Sequence, residues 1–424
     1  MTTPSPPLWL SDARFGLLIH WGVYSLYSRG ESVMLHERLD VEEYHRSASY
    51  LSAPQWAPST WADLALEAGI EYAILMARHA DGYTLFDSAA SDFTAPQTGP
   101  GRDLVQGYVD ALRRARIHVG LGYHLADWRR PAYFAGPERD PEGFQALVET
   151  AHAQIYELCT AYGHIDMIWL RGDTRHGAGA WRAHELVDMI HQYGALVITE
   201  AGSSIPGDMV VHSPHCPSAQ DRRPWAWAVP SVERHWGHHI GDRDVKSASA
   251  VIRMLATTAE RGGSLLLNVG LREEGSMPLT FEDTLYEVGY WLKRNRASIR
   301  PTTAAPFSPL NLGCMTVSGP TVYLHVFYWP GNRLCLAGLQ GRVLGARFLA
   351  DGWELDVYQE EDRIILDRLP SLAPDPRNTV IAIEMEEAPR VAPWVYERIP
   401  ESQAPADGIN RTEQDLRSKH HHIM

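Results

Sequence analysis

The stretch Ile165-Asp166-Met167-Ile168-Trp169-Leu170-Arg171-Gly172-Asp173 decides how the whole chain is read. Its Ile, Met and Trp residues predict a buried strand, and Gly172 marks the turn where that strand ends. Side chains alternate along a strand, so Trp169, Arg171 and Asp173 are expected on one face. In a parallel barrel that face, at the strand's C-terminal end, looks into the mouth where active sites are built. The chemistry therefore turns on Arg171 and Asp173.

Working outward, the same unit recurs on both sides. Upstream, Arg14 to Gly22 reads as a strand ending in His20 and Trp21, and Glu71 to Ala77 as a strand emptying into Arg78-His79-Ala80-Asp81-Gly82-Tyr83. Ile117 to Tyr123 is a third strand. Helical patterns over Trp56–Ala68, Val105–Arg116 and Gly143–Tyr162 separate these strands. Downstream follow helix Trp181–Tyr193, strand Leu196–Thr199, helix Lys246–Arg261 and strand Gly263–Gly270. Strands alternating with helices predict βα units and a parallel sheet. Polar and aromatic residues gather at the strand C-termini, which favours a (β/α)₈-like barrel over an open sheet. From about Pro306 short strand-like runs replace the helical period, and a small antiparallel β-sandwich is expected. The predicted organisation is a barrel over 1–303, a sandwich over 304–400 and a disordered tail over 401–424. Lys419-His-His-His422 in that tail is a metal-binding tract or an expression scar, and stands outside the fold argument.

Bulk composition narrows the function. Net charge is −14, and there is no basic excess to bind phosphates, so neither nucleic acid nor an anionic membrane is an expected partner. Lysine occurs three times against 35 arginines, so an Arg in place of Lys carries little meaning. The four cysteines, Cys159, Cys216, Cys314 and Cys335, form no CxxC pair and read as reduced thiols. No signal peptide and no apolar run of membrane-spanning length are visible, so a cytoplasmic location is expected. Whether the chain forms a homo-oligomer is left open.

Candidate functional residues sit at the strand ends: His20 with Trp21, His79 with Asp81, Tyr123 with Asp127, Arg171 with Asp173, and His212 with His215. A single such residue is commonly structural, but five ends converging on one mouth point to a site. Carboxylates and imidazoles suit sugar hydroxyls, and indole faces suit the C–H side of a sugar ring; Trp169 and Trp225 are candidates for the latter. His212-x-x-His215 and His235-x-x-His238-His239 raise a metal site, yet no carboxylate or Cys stands at a recognised spacing, so no metal is expected. The lack of a Gly-rich fingerprint after an early strand leaves no expected cofactor.

At these residues the chain resembles the family 29 glycoside hydrolases, the α-L-fucosidases. Phe15-Gly-Leu-Leu-Ile-His20-Trp21-Gly22-Val-Tyr-Ser25 resembles their F-G-x-x-x-H-W-G-x-Y-S motif. Trp61 to Tyr72 resembles W-A-x-L-A-K-x-A-G-A-K-Y, Arg78 to Tyr83 lies where they carry K-H-H-D-G-F, and Gly263 to Gly270 resembles G-N-L-L-L-N-V-G. The resemblance implies a retaining mechanism with two carboxylates about 5–5.5 Å apart. It also implies substrate-binding roles for His20, Trp21, Glu31, His79, Tyr123 and Trp169, and a catalytic role for Asp81.

The match breaks where the hydrolytic pair should be. The nucleophile of the family's W-F-D-G motif falls on Arg171, whose guanidinium keeps its protons and cannot attack carbon. A P-x-E-C-like pattern carrying the acid/base aligns with Ser213-Pro214-His215-Cys216, which puts His215 at the Glu position. Ala80 replaces the second His of the pair, Glu31-Ser32-Val33 stands for E-W-Y, and an arginine expected after Thr199 is missing. Three readings stay open. The pocket is repurposed for non-hydrolytic acid/base chemistry (elimination, isomerisation or cyclisation) on a sugar-like or glycosylated small molecule, with His215 as acid/base and Arg171 holding an anion. Alternatively, Asp173, about 6–7 Å further along an extended strand, replaces the lost group in a glycosidase. The third reading is a carbohydrate-binding protein without turnover.

Overall fold

The computed structural model describes residues 7–173, 175–217, 223–303, 311–360 and 363–391. Eight parallel strands close into a barrel in chain order: β1 (Phe15–His20), β2 (Tyr72–Arg78), β3 (His118–His124), β4 (Met167–Arg171), β5 (Leu196–Glu200), β6 (Met209–His212), β7 (Trp225–Pro230) and β8 (Ser264–Gly270). β1 pairs with both β2 and β8, which completes the ring. The outer helices are α1 (Pro58–Ala68), α2 (Val105–Ala115), α3 (Pro141–Ala161), α4 (Ala183–Gln192), α5 (Ala248–Glu260) and α6 (Leu279–Asn295). Helix starts follow local chemistry: Asp140 accepts from the Gly143 N–H at the head of α3, and Ser247 from the Ala250 N–H at the head of α5. The (β/α)₈-like barrel expected from the sequence is therefore present, with helix and strand limits within about two residues of expectation.

Strand alternation sorts the apolar residues into two cores. Leu18, Ile74, Met76, Met167, Trp169, Ile198, Val211, Ala228 and Leu266 fill the barrel interior. Their sequence neighbours Leu17, Ile19, Ala73, Leu75, Ile168, Leu170, Val197, Leu265 and Leu267 face outward against the helices. Strands β6 and β7 were not anticipated. β6 has four residues, and β7, Trp225-Ala-Trp-Ala-Val-Pro230, ends in a proline and has no helical segment before it to set it off. α6 was missed as well.

The sandwich follows the barrel, as expected. One antiparallel sheet runs in the order Val343–Phe348, Thr379–Met385, Thr321–Val326, Gly313–Ser318, and a second in the order Leu334–Ala337, Arg363–Asp367, Asp356–Glu360. Its core is separate, built on Leu324, Leu336, Ile364, Leu366, Ile381 and Ile383. The two segments read in the sequence as Arg342–Leu344 and Ala346–Leu349 are one strand with an irregularity between Val343 and Gly345. The 401–424 tail and its His tract lie outside the described residues.

Barrel and sandwich are joined by specific contacts. The Met315 N–H donates to Glu260 of α5 at 3.0 Å, and Arg253 of α5 donates to the Phe327 carbonyl at 2.9 Å. Trp291 of α6 is buried, and its Nε1 donates to the Asn378 carbonyl at 2.8 Å. Removing a buried indole costs about 3–5 kcal/mol through lost transfer energy and the cavity left behind. Trp291→Ala is expected to lower the unfolding free energy measured in urea by that amount. Trp291→Phe, which loses the donor but keeps most of the volume, is expected to cost less; equal losses for both would place the energy in the hydrogen bond.

Candidate active site

The mouth is built from residues that alternation turns inward at the strand C-termini. His20 ends β1, His124 ends β3, Arg171 ends β4, Glu200 ends β5, and Asn268 stands on β8. At β2 the register shifts between Met76 and Arg78. After that irregularity Arg78 pairs with Asp127 at 3.0 Å and lies over the Tyr123 ring, on the outer side. His79 then packs among the site residues, its ring 5.8 Å from His20, 5.4 Å from His124 and 5.8 Å from Trp128.

Beside these histidines, on the β4–β7 side, lies a cavity of about 220 Å³ lined by Trp169, Arg171, Glu200, Val211, Ser213 and Trp236 among others. Arg171 Nε donates to Glu200 Oε1 at 2.9 Å. Its guanidinium carbon lies 4.9 Å from the Trp169 ring and 5.9 Å from the Trp236 ring, within cation–π range of both. The acidic neighbour of Arg171 is therefore Glu200.

Protonation follows from burial and from Arg171. His20 donates Nδ1–H to Asn268 Oδ1 at 2.6 Å, because the Asn268 amide nitrogen is committed to the Trp236 carbonyl at 2.7 Å. This leaves Nε2 as the lone-pair nitrogen. Burial, and next the Arg171 charge, lower the His20 pKa to about 4. Burial also holds His79 and His124 well below the usual imidazole range, and Arg171 adds to both shifts. Three neutral imidazoles thus surround one fixed cation.

Several expected site residues are elsewhere. Tyr123 faces outward, donating its hydroxyl to Gln154 of α3 at 2.7 Å; its neighbour His124 takes the inward place. Trp21 is buried in the outer core beside Trp56 and donates to the Arg272 carbonyl. Trp225 starts β7, at the closed end of the barrel, with its ring against Gly263; the indole at the mouth is Trp236. Asp173 does not share the face of Arg171. Gly172 has φ +83°, where the chain leaves strand geometry, and a Cβ there would fall 2.3 Å from the His124 ring. Asp173 turns inward into the loop layer, fully buried, and its Oδ2 accepts from the Ser203 and Ser204 hydroxyls and the Ser204 N–H. His215 is exposed on the β6–β7 loop, two residues beyond the lining Ser213, and does not itself line the cavity.

Asp81 and Glu31 are framework as much as site. Asp81 is buried, accepting from the Tyr44 hydroxyl at 2.7 Å and the Tyr83 N–H at 3.1 Å, and burial pushes its pKa up to about 6. Glu31 Oε2 accepts from the Trp236 and Gly237 N–H groups at 3.0 and 2.9 Å, fixing the loop that carries Trp236. Sequence reasoning missed His124, Glu200, Asn268 and Trp236. Alternation carried one residue past the expected strand ends at Tyr123 and Thr199 reaches His124 and Glu200, and Asn268 lies inside the strand read as Gly263–Gly270. The Trp236 loop offered none.

This geometry has close counterparts. The alpha-L-fucosidase family model matches residues 2–297, most of the chain. The chain belongs to the α-L-fucosidase family. Tissue alpha-L-fucosidase of Rattus norvegicus is 26% identical over 401 residues, covering 87% of each chain. Plasma alpha-L-fucosidase of Homo sapiens is 26% identical over 414 residues, 86% of each. The structure of alpha-L-fucosidase isoenzyme 1 from Paenibacillus thiaminolyticus superposes with a TM-score of 0.82 at 33% identity, covering 89% of this chain and 98% of that one. Family membership brings the barrel and sandwich with it. Among the described residues no helix is long and apolar enough to cross a membrane, and none of the four cysteines is in a disulfide.

The pH dependence of stability follows from these burials. Because His20 binds its proton near pH 4 when folded and near 6.5 when unfolded, its contribution is fully present above 6.5 and is lost as pH falls towards 4. Asp81 works in the opposite sense: raised from 3.8 to about 6, it favours the fold at low pH and loses that contribution as pH rises through 6. Asp81→Asn is expected to steepen the loss of melting temperature between pH 6.5 and 4, and His20→Gln to flatten it. Parallel curves for the two variants and wild type would remove both assignments.

Proposed function

We propose that this member of the α-L-fucosidase family binds a sugar-like small molecule bearing an anionic group and acts on it by non-hydrolytic acid/base chemistry. The observation that carries the reading is Arg171 at the inward end of β4, paired with Glu200 and stacked between Trp169 and Trp236. A covalent glycosyl intermediate needs a carboxylate nucleophile facing a second carboxyl group. Arg171 cannot be that nucleophile, and Asp173 is buried in hydrogen bonds to Ser203 and Ser204.

What the site does hold suits another role. The guanidinium uses Nε for Glu200, and its two Nη groups have no partner among the described residues, a fork matched to a carboxylate or an oxyanion. The lone-pair nitrogen of His20 and the neutral rings of His79 and His124 supply acceptors for hydroxyls and for a proton lost from carbon next to the bound anion. His215, exposed on the loop after β6, is the group we assign to exchange protons with solvent. Trp169 and Trp236 offer ring faces to the apolar side of the substrate. The reading also places the protein in the cytoplasm, where unpaired thiols persist.

One observation favours a second reading, hydrolysis with a displaced group. Glu200, unlike Asp173, lines the cavity and could serve as base for a water. Two measurements separate the readings. With an aryl α-L-fucoside, wild type is expected to release no phenol above the buffer rate; release that Glu200→Gln abolishes would establish the hydrolase instead. By calorimetry, L-galacturonate, which has the ring configuration of L-fucose plus a carboxylate, is expected to bind roughly 10–100-fold tighter than L-fucose, as a charge-assisted hydrogen bond provides. Arg171→Gln should erase that difference. Equal binding of the two sugars by wild type would overturn the anion role.

A further inference from the structure

The segment after β7 brings together three metal-ligating side chains that sequence spacing alone did not connect. His235 and His239 stack with ring centroids 4.2 Å apart and planes 4° from parallel. His235 Nδ1 lies 2.7 Å from Asp242 Oδ2, and His239 Nδ1 lies 4.0 Å from Asp242 Oδ1. One donor atom from each of the three falls within 4.8 Å of the others, the only such group among the described residues. Asp242 is the carboxylate that the earlier expectation of no metal lacked. All three are partly exposed, in a cleft of about 500 Å³ that Glu233, Asp244, Arg234 and Arg243 also line, so the carboxylate of Asp242 is the one the site itself supplies.

We propose that His235, His239 and Asp242 form a divalent-cation site, best matched to Zn²⁺, that clamps the loop carrying Trp236 over the pocket. Two imidazoles and one carboxylate are a borderline donor set of the kind that selects Zn²⁺ and its neighbours over Ca²⁺ or Mg²⁺, which take all-oxygen shells. The 2.7 Å hydrogen bond between His235 Nδ1 and Asp242 Oδ2 holds one proton between imidazole and carboxylate, with the His239 ring stacked beside it. A cation takes that proton's place, the proton leaves to solvent, and His239 exchanges its contact with the Gly241 N–H (3.0 Å) for the metal. The donor atoms must adjust to the roughly 3.4 Å spacing of a tetrahedral shell, and the two rings must turn out of their stack so that their lone pairs converge on one ion, which a surface turn of eight residues can absorb.

The consequence for the pocket follows from what this loop already touches. The Trp236 and Gly237 N–H groups donate to Glu31, the Gly30 N–H to the His238 carbonyl at 3.0 Å, and the Ile240 N–H to the Ser28 carbonyl at 2.9 Å. The ligands bracket Trp236 in sequence, so a cation that holds 235 to 242 restricts the indole lying next to Arg171 and His20.

The test is titration of the full chain, stripped with chelator, by Co²⁺ followed through its d–d absorption and by Zn²⁺ in calorimetry. Wild type, His239→Ala and Asp242→Asn are compared, with far-UV circular dichroism to check that each variant folds. Tail histidines 420–422 are common to all three proteins, so the expected result is one binding event fewer, or one weakened about 100-fold, in both variants. Hydrogen exchange over 232–244 should slow on adding Zn²⁺ in wild type alone. Identical stoichiometry and affinity in wild type and in either folded variant, or unchanged exchange in wild type, would overturn the proposal.

Discussion

The ion pair between Arg171 and Glu200 sets the electrostatics of everything around it. Both side chains are largely covered, at 15% and 29% exposure, and a lone guanidinium between two indoles would be a poorly solvated charge. Glu200 answers it from the next strand, where parallel pairing sets the end of β5 beside the end of β4. The pair is close to neutral at long range, but the guanidinium is the member nearer the histidines. It contributes to the lowered pKa of His20, His79 and His124 alike. Burial is the larger cause of all three shifts, and the guanidinium reinforces it, so the cluster is held as three neutral imidazoles. One cation at the end of β4 is thus felt at the ends of β1 and β3 and in the loop after β2.

The fold was legible because apolar alternation and helical period act locally and recur along the chain, so missing β6, β7 and α6 does not change the architecture. The site was less legible, and the errors share a cause. His20 and Trp21 are neighbours, and strand alternation allows only one of them inward; motif matching nominated both. The same offset separates Tyr123, which bonds Gln154 outside the barrel, from the inward His124. At β2 the reverse happens: a register shift after Met76 breaks alternation, sends Arg78 outward and brings His79 in. At β4 the positive φ of Gly172 breaks it again and removes Asp173 from the face of Arg171. Position inside a strand can be counted; a bulge or a left-handed glycine at its end cannot be seen without coordinates.

Long-range contacts explain the other surprises. Trp225 and Trp236 differ by eleven positions, and nothing local says which belongs to the mouth. The choice is made by Asn268, whose amide bonds both His20 and the Trp236 carbonyl, and by Glu31, which accepts two N–H bonds from the same loop. Glu31 therefore holds part of the wall whatever else it does for a ligand. A residue retained from a family motif is consistent with either role, and here the architectural one has its hydrogen bonds in view.

These constraints bear on how an anionic substrate would be handled. Arg171 holds Glu200 through Nε alone, so a ligand carboxylate docking on the Nη edge adds a second negative charge beside Glu200. Like charges sharing one cation raise each other's proton affinity. In the proposed reading the ligand's anion and Glu200 would share Arg171, and anion binding would be felt at Glu200 through one guanidinium. The side chain that stands inward at the end of β4 would then be the one that ties the acid/base groups to the charge of the substrate.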